Sequence, residues 1–234
     1  MKTIIGLIVL WPLAGFLLNG LGRNIWSKKT IATQATGYIF ASFVFSLIAF
    51  WNVQEQGAIT VHYFDFINTS TVKIPFDFRV DALSSLFLLV ITGVGTLIHL
   101  YSSAYMHEET APHYARYFAY LNLFIFSMLL LVLGDNYVIM FIGWEGVGLC
   151  SYLLIGYWFT NTTYNNAAKK AFIMNRIGDL GFLVGIFLLI QNFNTTNYQV
   201  IFQEIASGNV PENVGLIAFC LFIGAMGKSA QIPL

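Results

Sequence analysis

Seven apolar segments, each close to the length that crosses a bilayer, are the strongest constraint on how this chain folds. They cover about residues 3–22, 31–51, 81–105, 115–134, 136–158, 168–191 and 213–234. A membrane-spanning helix needs roughly 20 predominantly apolar residues. Only 9% of the 234 residues are charged, against about 25% in a typical soluble domain. We therefore expect an all-α integral membrane protein with about seven transmembrane helices.

The lysines and arginines between these segments predict how the helices are oriented. The connections after the first, third and fifth segments carry Arg23, Lys28, Lys29, Arg116, Lys169 and Lys170. The opposite ends of the segments carry Lys2, Lys73 and Arg79. Since cytoplasmic loops are enriched in lysine and arginine, we expect the larger set on the cytoplasmic or matrix side. The N-terminus is then expected outside, on a helix that is not a cleavable signal peptide.

Two connections carry patterns of their own. Residues 58–81 alternate apolar and polar side chains, with apolar ones at Val72, Ile74, Phe76, Phe78 and Val80. This alternation and a possible turn at Asn68-Thr69-Ser70 predict a β-hairpin on the outer surface. This segment is either an elaborated surface loop with no further role or a hairpin that contacts a neighbouring subunit. Residues 197–208 place Tyr198, Ile201, Phe202 and Ile205 at helical spacing, which predicts a short amphipathic helix on the outer membrane surface.

Four ionisable side chains lie well inside the apolar segments: Glu145, Arg176, Asp179 and Lys228. A charge at the bilayer centre costs about 2.5–3.5 kcal/mol on insertion scales. Such groups are therefore expected to be paired or hydrated, and by default they mark an ion or proton pathway. The competing interpretation is a structural membrane scaffold with inert ion pairs.

Glu145 is flanked by three glycines, Gly143, Gly146 and Gly148. Glycine lets a neighbouring helix approach closely and also leaves room for water. A carboxyl group in such a place is suited to changing its protonation state during a working cycle. The alternative is a fixed ion pair or hydrogen bond that holds helices together.

Arg176 and Asp179 stand three residues apart in the sixth segment and so share a helix face. Their simplest relation is a salt bridge, which is either static or a pair that separates when the local charge changes. Lys228 follows Gly224 and Gly227 and precedes Pro233, a pattern that predicts a broken seventh helix. We expect Lys228 to couple electrostatically to Glu145, the alternative being a snorkelling anchor.

The histidines and cysteines suggest no further chemistry. His99 lies near the end of the third segment, where a hydrogen-bonded packing histidine is expected more than a charge sensor. Cys150 and Cys220 fall in apolar segments and are expected to be packing residues. No cysteine cluster and no glycine-rich dinucleotide motif after a strand is present in the sequence.

Four stretches together resemble a known family. They are FRVDALSSLFLLVITGVGTLIHLYSSAYM (78–106), LGDNYVIMFIGWEGVGLCSYLLIGYW (133–158), AFIMNRIGDLGFLVGIF (171–187) and GAMGKSAQIPL (224–234). The chain resembles the largest antiporter-like membrane subunit of respiratory complex I, the NADH:quinone oxidoreductase. The resemblance is strongest from the third segment onward.

The resemblance implies a division of the chain into four parts. Residues 1–57 would be peripheral helices one and two, 58–81 the extramembrane hairpin, and 82–106 the third helix. Residues 115–234 would be the first part of an antiporter-like proton-channel repeat, helices four to seven, with further helices expected downstream. Glu145, Lys228, Asp179 and Arg176 match the family residues that take part in proton translocation.

The resemblance also implies cofactors, partners and location. No cofactor is expected in this chain, because FMN and the iron–sulfur clusters would lie in partner subunits that carry out NADH:quinone electron transfer. The expected partners are other membrane-arm subunits of complex I, especially the neighbouring antiporter-like subunit, with the lipid bilayer and protons but no nucleic acid. The expected membrane is the bacterial inner membrane, or the mitochondrial one. The alternative is the large subunit of a multi-subunit Na⁺/H⁺ antiporter.

Overall fold

A computed structural model describes residues 1–69 and 72–234. Over those residues the chain forms eight α-helices and a two-stranded sheet. In chain order the elements are α1 (Lys2–Leu21), α2 (Lys28–Gln56), β1 (Ile59–Asn68), β2 (Lys73–Val80), α3 (Ala82–Tyr105), α4 (Ala111–Leu133), α5 (Tyr137–Ile155), α6 (Thr162–Phe193), α7 (Tyr198–Ala206) and α8 (Val214–Lys228).

The long apolar segments are helices, and this confirms the predicted fold class. Within the described residues, α1 to α6 are long and apolar enough to cross a membrane. The seventh segment forms α8, which has 15 residues and ends at Lys228, and the last residues of the chain form turns. The helix thus ends near the predicted break, while the predicted count of seven spanning helices is not confirmed.

The predicted hairpin is also confirmed. Strands β1 and β2 pair antiparallel, from Ile59 opposite Val80 to Asn68 opposite Lys73. Ile74, Phe78 and Val80 are buried, as the alternation predicted. The predicted turn at Asn68-Thr69-Ser70 reaches Ser70, which lies outside the described residues.

The hairpin packs on one end of the helix bundle, which we call the hairpin face. The Tyr63 hydroxyl donates a hydrogen bond to the Lys2 carbonyl at 2.9 Å, and burial raises the pKa of Tyr63 to about 12. Phe78 pairs with Gly134 in an isolated bridge. The side-chain amide of Asn136 donates to the Pro75 carbonyl at 2.9 Å. These contacts fix the hairpin to α1 and to the turn between α4 and α5.

That turn holds a buried carboxyl group. Asp135 is 3% exposed and accepts a hydrogen bond from the Asn197 amide at 2.8 Å. Burial raises the pKa of Asp135, and the neighbouring Asp77 and Asp81 act in the same direction, against the Asn197 hydrogen bond and the Arg79 charge. The hydrogen bond ties the start of α5 to the start of α7, so both ends of the α5–α6 unit are anchored at the hairpin face.

The helices form two regions that meet between α4 and α5. In the first region, α1 packs on α2 and α4, and α2 packs on α3. Its core includes Ile5, Ile8, Ile39, Leu88 and Leu129, each fully buried. In the second region, α6 packs closely along α8 and also contacts α5. The four predicted membrane charges all belong to this second region.

Candidate functional site

The structure brings the four predicted residues together at the contact of α5, α6 and α8. Arg176 forms a salt bridge with Glu145. Asp179 is 4% exposed, and Glu145 lies within electrostatic range of both Asp179 and Lys228. Lys228 is half-buried and interacts with the charges of Asp179 and Glu145. Two acidic and two basic side chains thus form one cluster with balanced formal charge.

Trp144 connects this cluster and was not singled out from the sequence. Its indole nitrogen donates a hydrogen bond to Asp179 Oδ1 at 2.7 Å, and its backbone carbonyl accepts one from Lys228 Nζ at 3.0 Å. The same amine lies 5.5 Å from the centroid of the indole ring. The ring stacks on Phe182 of α6 with 5.2 Å between centroids. In the sequence, only its position next to Glu145 points to these contacts with Asp179 and Lys228.

The predicted salt bridge between Arg176 and Asp179 is wrong in this structure. Arg176 instead pairs with Glu145 across the α5–α6 contact, and its guanidinium lies 4.8 Å from the ring centroid of Phe172, one turn earlier. Asp179 turns toward the Trp144 indole. The two residues share a helix face, but each has a better-placed partner on α5.

The glycines around Glu145 serve two purposes. A Cβ on Gly143 would lie 2.3 Å from the Leu131 backbone nitrogen, and one on Gly146 would lie 2.5 Å from Ser127 Oγ. These two glycines therefore let α5 approach α4 closely, as predicted. A Cβ on Gly148 would lie 2.8 Å from Lys228 Nζ. Gly148 thus provides the space that the lysine amine occupies.

A second set of glycines places α8. A Cβ on Gly178 would lie 3.1 Å from the Gly227 Cα, so α6 and α8 are in contact through their backbones. Gly224 faces the Phe182 side chain, where a Cβ would lie 2.7 Å from Phe182 Cβ and Cδ2. This seam positions Lys228, which directly follows Gly227, opposite α5.

Polar side chains continue from Lys228 into two adjoining cavities. A cavity of about 310 Å³ is lined by Leu131, Trp144, Val147, Ser151, Asn175 and Lys228. A larger one of about 670 Å³ also includes Ser151, Asn175 and Lys228 and reaches Lys170. Ser151 and Asn175 are hydroxyl and amide groups that can bind water or pass hydrogen bonds to the amine. Sequence reasoning missed both, because neither residue type is unusual in a membrane helix.

The other sequence candidates lie outside the cluster. His99 is 1% exposed, with Nδ1 2.8 Å from the Gly95 carbonyl and Nε2 3.4 Å from the Asn122 amide. It is a packing histidine, as expected. Cys150 and Cys220 are buried thiols. Across residues 1–69 and 72–234, no group of three or more histidine, cysteine or acidic side chains is arranged to hold a metal ion.

The chain matches two sequence profiles of membrane subunits. Residues 134–234 match the transmembrane domain of the NADH:quinone oxidoreductase and Mrp antiporter proteins. Residues 66–118 match the N-terminus of NADH-ubiquinone oxidoreductase (complex I) chain 5. All four residues of the charged cluster lie within the first of these matches.

Curated relatives and a solved structure agree with these matches. The chain is 43% identical to NADH-quinone oxidoreductase subunit L of Pseudomonas aeruginosa, over 99% of this chain and 38% of that protein. It is 40% identical to NADH-ubiquinone oxidoreductase chain 5 of Metridium senile, over 97% of this chain and 38% of that protein. The Mrp complex from a Dietzia species contains a similar fold, with a TM-score of 0.82 at 22% identity, covering 98% of this chain and 24% of that one.

By class, the chain therefore contains antiporter-like membrane domains. It belongs to the family of complex I membrane subunits that includes subunit L and chain 5. It spans about 38% of the length of the two curated relatives described above.

Proposed function

We propose that this chain is part of a proton-translocating membrane-arm subunit of respiratory complex I. Other subunits, which carry FMN and iron–sulfur clusters, would transfer electrons from NADH to quinone. This subunit would couple that reaction to proton movement through Glu145, Asp179, Arg176 and Lys228. The observation that carries the proposal is that these four charges, on three helices, lie in one cluster: Arg176 pairs with Glu145, and the adjacent Trp144 bonds to both Asp179 and Lys228.

The contacts support a role for each residue. Glu145 is the proton-loading carboxyl, and its salt bridge to Arg176 would weaken when it accepts a proton. Asp179 is held by the Trp144 indole and acts as the second acidic group. Lys228 is the basic group on the other side of Trp144, and lysine, unlike arginine, can release its proton when buried. A proton gained by one acidic group thus changes the electrostatic balance at Lys228.

The proposed setting rests on the family resemblance and on the distribution of lysine and arginine between the apolar segments. The subunit would lie in the bacterial inner membrane, or the mitochondrial one, with its N-terminus and the hairpin face outside. The neighbouring antiporter-like subunit is the proposed main partner, and the hairpin is one proposed point of contact.

The test is Glu145→Gln in the complete subunit within its assembled complex. We expect normal assembly and NADH:quinone electron transfer that persists, with fewer protons moved per NADH in sealed vesicles. Glu212→Gln, which changes an exposed glutamate outside the cluster, is the matched control and should behave as wild type. An unchanged proton-to-NADH ratio in assembled Glu145→Gln complexes would remove Glu145 from the pathway.

A second candidate is the large subunit of a multi-subunit Na⁺/H⁺ antiporter, favoured by the similarity of fold to a chain of the Mrp complex. The same cluster could serve that exchange. Purification of the native assembly separates the two proposals. NADH:quinone activity with bound flavin indicates complex I, whereas Na⁺/H⁺ exchange without redox activity indicates the antiporter.

A further inference from the structure

A groove opens on the hairpin face, away from the charged cluster. Its volume is about 400 Å³. It lies between β2, the start of α3, the end of α4 and the start of α7. The lining residues are Arg79, Asp81, Leu83, Ser84, Phe87, Val132, Gly134, Tyr198, Gln199 and Phe202.

The two ends of this groove differ in chemistry. Arg79 and Asp81 line the end that precedes α3, where the apolar span begins. Leu83 and Phe87 lie four residues apart on α3, on one helix face, and continue the groove into the apolar span. Phe202 of the amphipathic helix α7 forms the opposite wall and is 61% exposed. The groove is therefore charged at its outer end and apolar along α3.

The charged end offers one cation and one anion with unused hydrogen-bonding capacity. Arg79 Nε lies 3.6 Å from Asp81 Oδ2, and the two side chains are 23% and 41% exposed. In the part of the chain that the structure describes, the terminal guanidinium nitrogens of Arg79 have no hydrogen-bond acceptor. They are free to bind an anionic oxygen, preferably a planar or bidentate one.

Asp81 is fixed and ionised. Its Oδ1 accepts hydrogen bonds from the Ser84 backbone nitrogen and hydroxyl, each at 2.9 Å, in a capping box of α3. Burial opposes ionisation of Asp81, but the Ser84 hydrogen bonds and the Arg79 charge outweigh it and lower its pKa. At neutral pH Oδ2 is therefore a charged acceptor next to Arg79.

We propose that this groove binds one phospholipid of the surrounding membrane, a zwitterionic lipid with a primary ammonium group such as phosphatidylethanolamine. The lipid phosphate binds the terminal nitrogens of Arg79, and the ammonium donates to Asp81. The upper part of an acyl chain packs on Leu83, Phe87 and Phe202. The site is separate from the charged cluster and does not depend on proton translocation.

The local charges favour this lipid class over two common alternatives. The head group of an anionic phosphatidylglycerol has no cation to bind Asp81. Asp77 and Asp135 lie near the same end of the groove and add to the repulsion of an anionic lipid. Phosphatidylcholine carries a quaternary ammonium, which has no N–H to donate. A primary ammonium has three donors and can satisfy Asp81 while its phosphate satisfies Arg79.

The test uses photoactivatable analogues of phosphatidylethanolamine, phosphatidylcholine and phosphatidylglycerol, each with the reactive group high in the acyl chain. They are added in equal amounts to the complete assembled complex in nanodiscs, and labelled peptides are mapped by mass spectrometry. We expect the ethanolamine analogue to label the peptides that contain Leu83, Phe87 and Phe202 several-fold more than the others. Arg79→Gln should remove this preference and Arg79→Lys should partly restore it.

Arg23→Gln is the matched control, because Arg23 is an exposed arginine at the opposite end of α1. It should leave the labelling of the groove unchanged. Equal labelling by all three analogues, or a preference that survives Arg79→Gln, would overturn the proposal. Absence of labelling in the groove, with labelling elsewhere on α3, would show that protein fills it and would overturn it equally. Proton pumping is not a readout, so this result is independent of the proposed function.

Discussion

The two regions of the bundle both bury polar groups, but of different kinds. In the described part of the α1–α4 region the buried polar side chains are serine, threonine, asparagine and histidine. The Ser42 hydroxyl donates to the Ile8 carbonyl at 2.9 Å, and Asn122 lies beside His99. In the α5–α6–α8 region the helices are joined through Glu145, Arg176, Asp179 and Lys228. The first region shows that helices of this chain can pack on one another without Asp, Glu, Lys or Arg at the buried positions described.

The difference bears on function because a charged side chain costs more free energy to place in a membrane than a neutral polar one. Hydrogen bonds between membrane helices contribute roughly 0.6 kcal/mol on average, whereas inserting a charge costs about 2.5–3.5 kcal/mol. Four charges in one region are thus poorly explained by packing alone. The comparison supports a proton pathway in the second region and a supporting role for the first.

The largest expected effect, on assembly, comes from adding a side chain where the backbones of α6 and α8 touch. In Gly178→Val the new side chain meets the Gly227 backbone, which cannot move aside as a side chain can. Overpacking typically costs about 1–3 kcal/mol, and we expect loss of most assembled subunit on native gels. Gly215→Val on α8, where a Cβ meets nothing within 4 Å, is the control. Equal loss in both variants would contradict the role of the seam.

A smaller effect that separates function from assembly is expected at Gly148. In Gly148→Ala the added methyl group displaces the Lys228 amine from the Trp144 carbonyl, since the lysine stem is flexible enough to move. We expect normal assembly with a lower proton-to-NADH ratio. Gly37→Ala on α2, which has open space around it, should pump normally. Normal pumping in Gly148→Ala would mean that the position of the amine is not important.

The smallest effect on pumping is expected in the α1–α4 region. Ser42→Ala removes one interhelical hydrogen bond and leaves the Ile8 carbonyl without that donor, and Pro12, four residues further along α1, has no N–H to replace it. We expect a loss of stability of about 1–3 kcal/mol and unchanged pumping, measured by thermal unfolding and in vesicles. A strong pumping defect here would break the proposed division between the two regions.

The helices and strands could be predicted from the sequence better than the side-chain contacts between them. Apolar runs locate helices because a bilayer-crossing helix must be apolar over its length, and alternation located the hairpin for a similar reason. The partner of Arg176 could not be predicted, since helix spacing shows which residues share a face but not what lies across from that face. Trp144 was missed because its carbonyl becomes a binding group only when α8 brings Lys228 to it.

The backbone contact between Gly178 and Gly227 limits how the site can move. At this point no side chain lies between α6 and α8, so no side-chain layer can repack there to let one helix slide along the other. Movement of the Lys228 charge relative to Asp179 must therefore come from rotation about the bonds of the lysine's own four-carbon stem, whereas movement of both helices as one rigid body shifts Lys228 only relative to α5. The contact between Gly178 and Gly227 thus fixes the backbone of Lys228, and only its side chain is left to move the charge within the site.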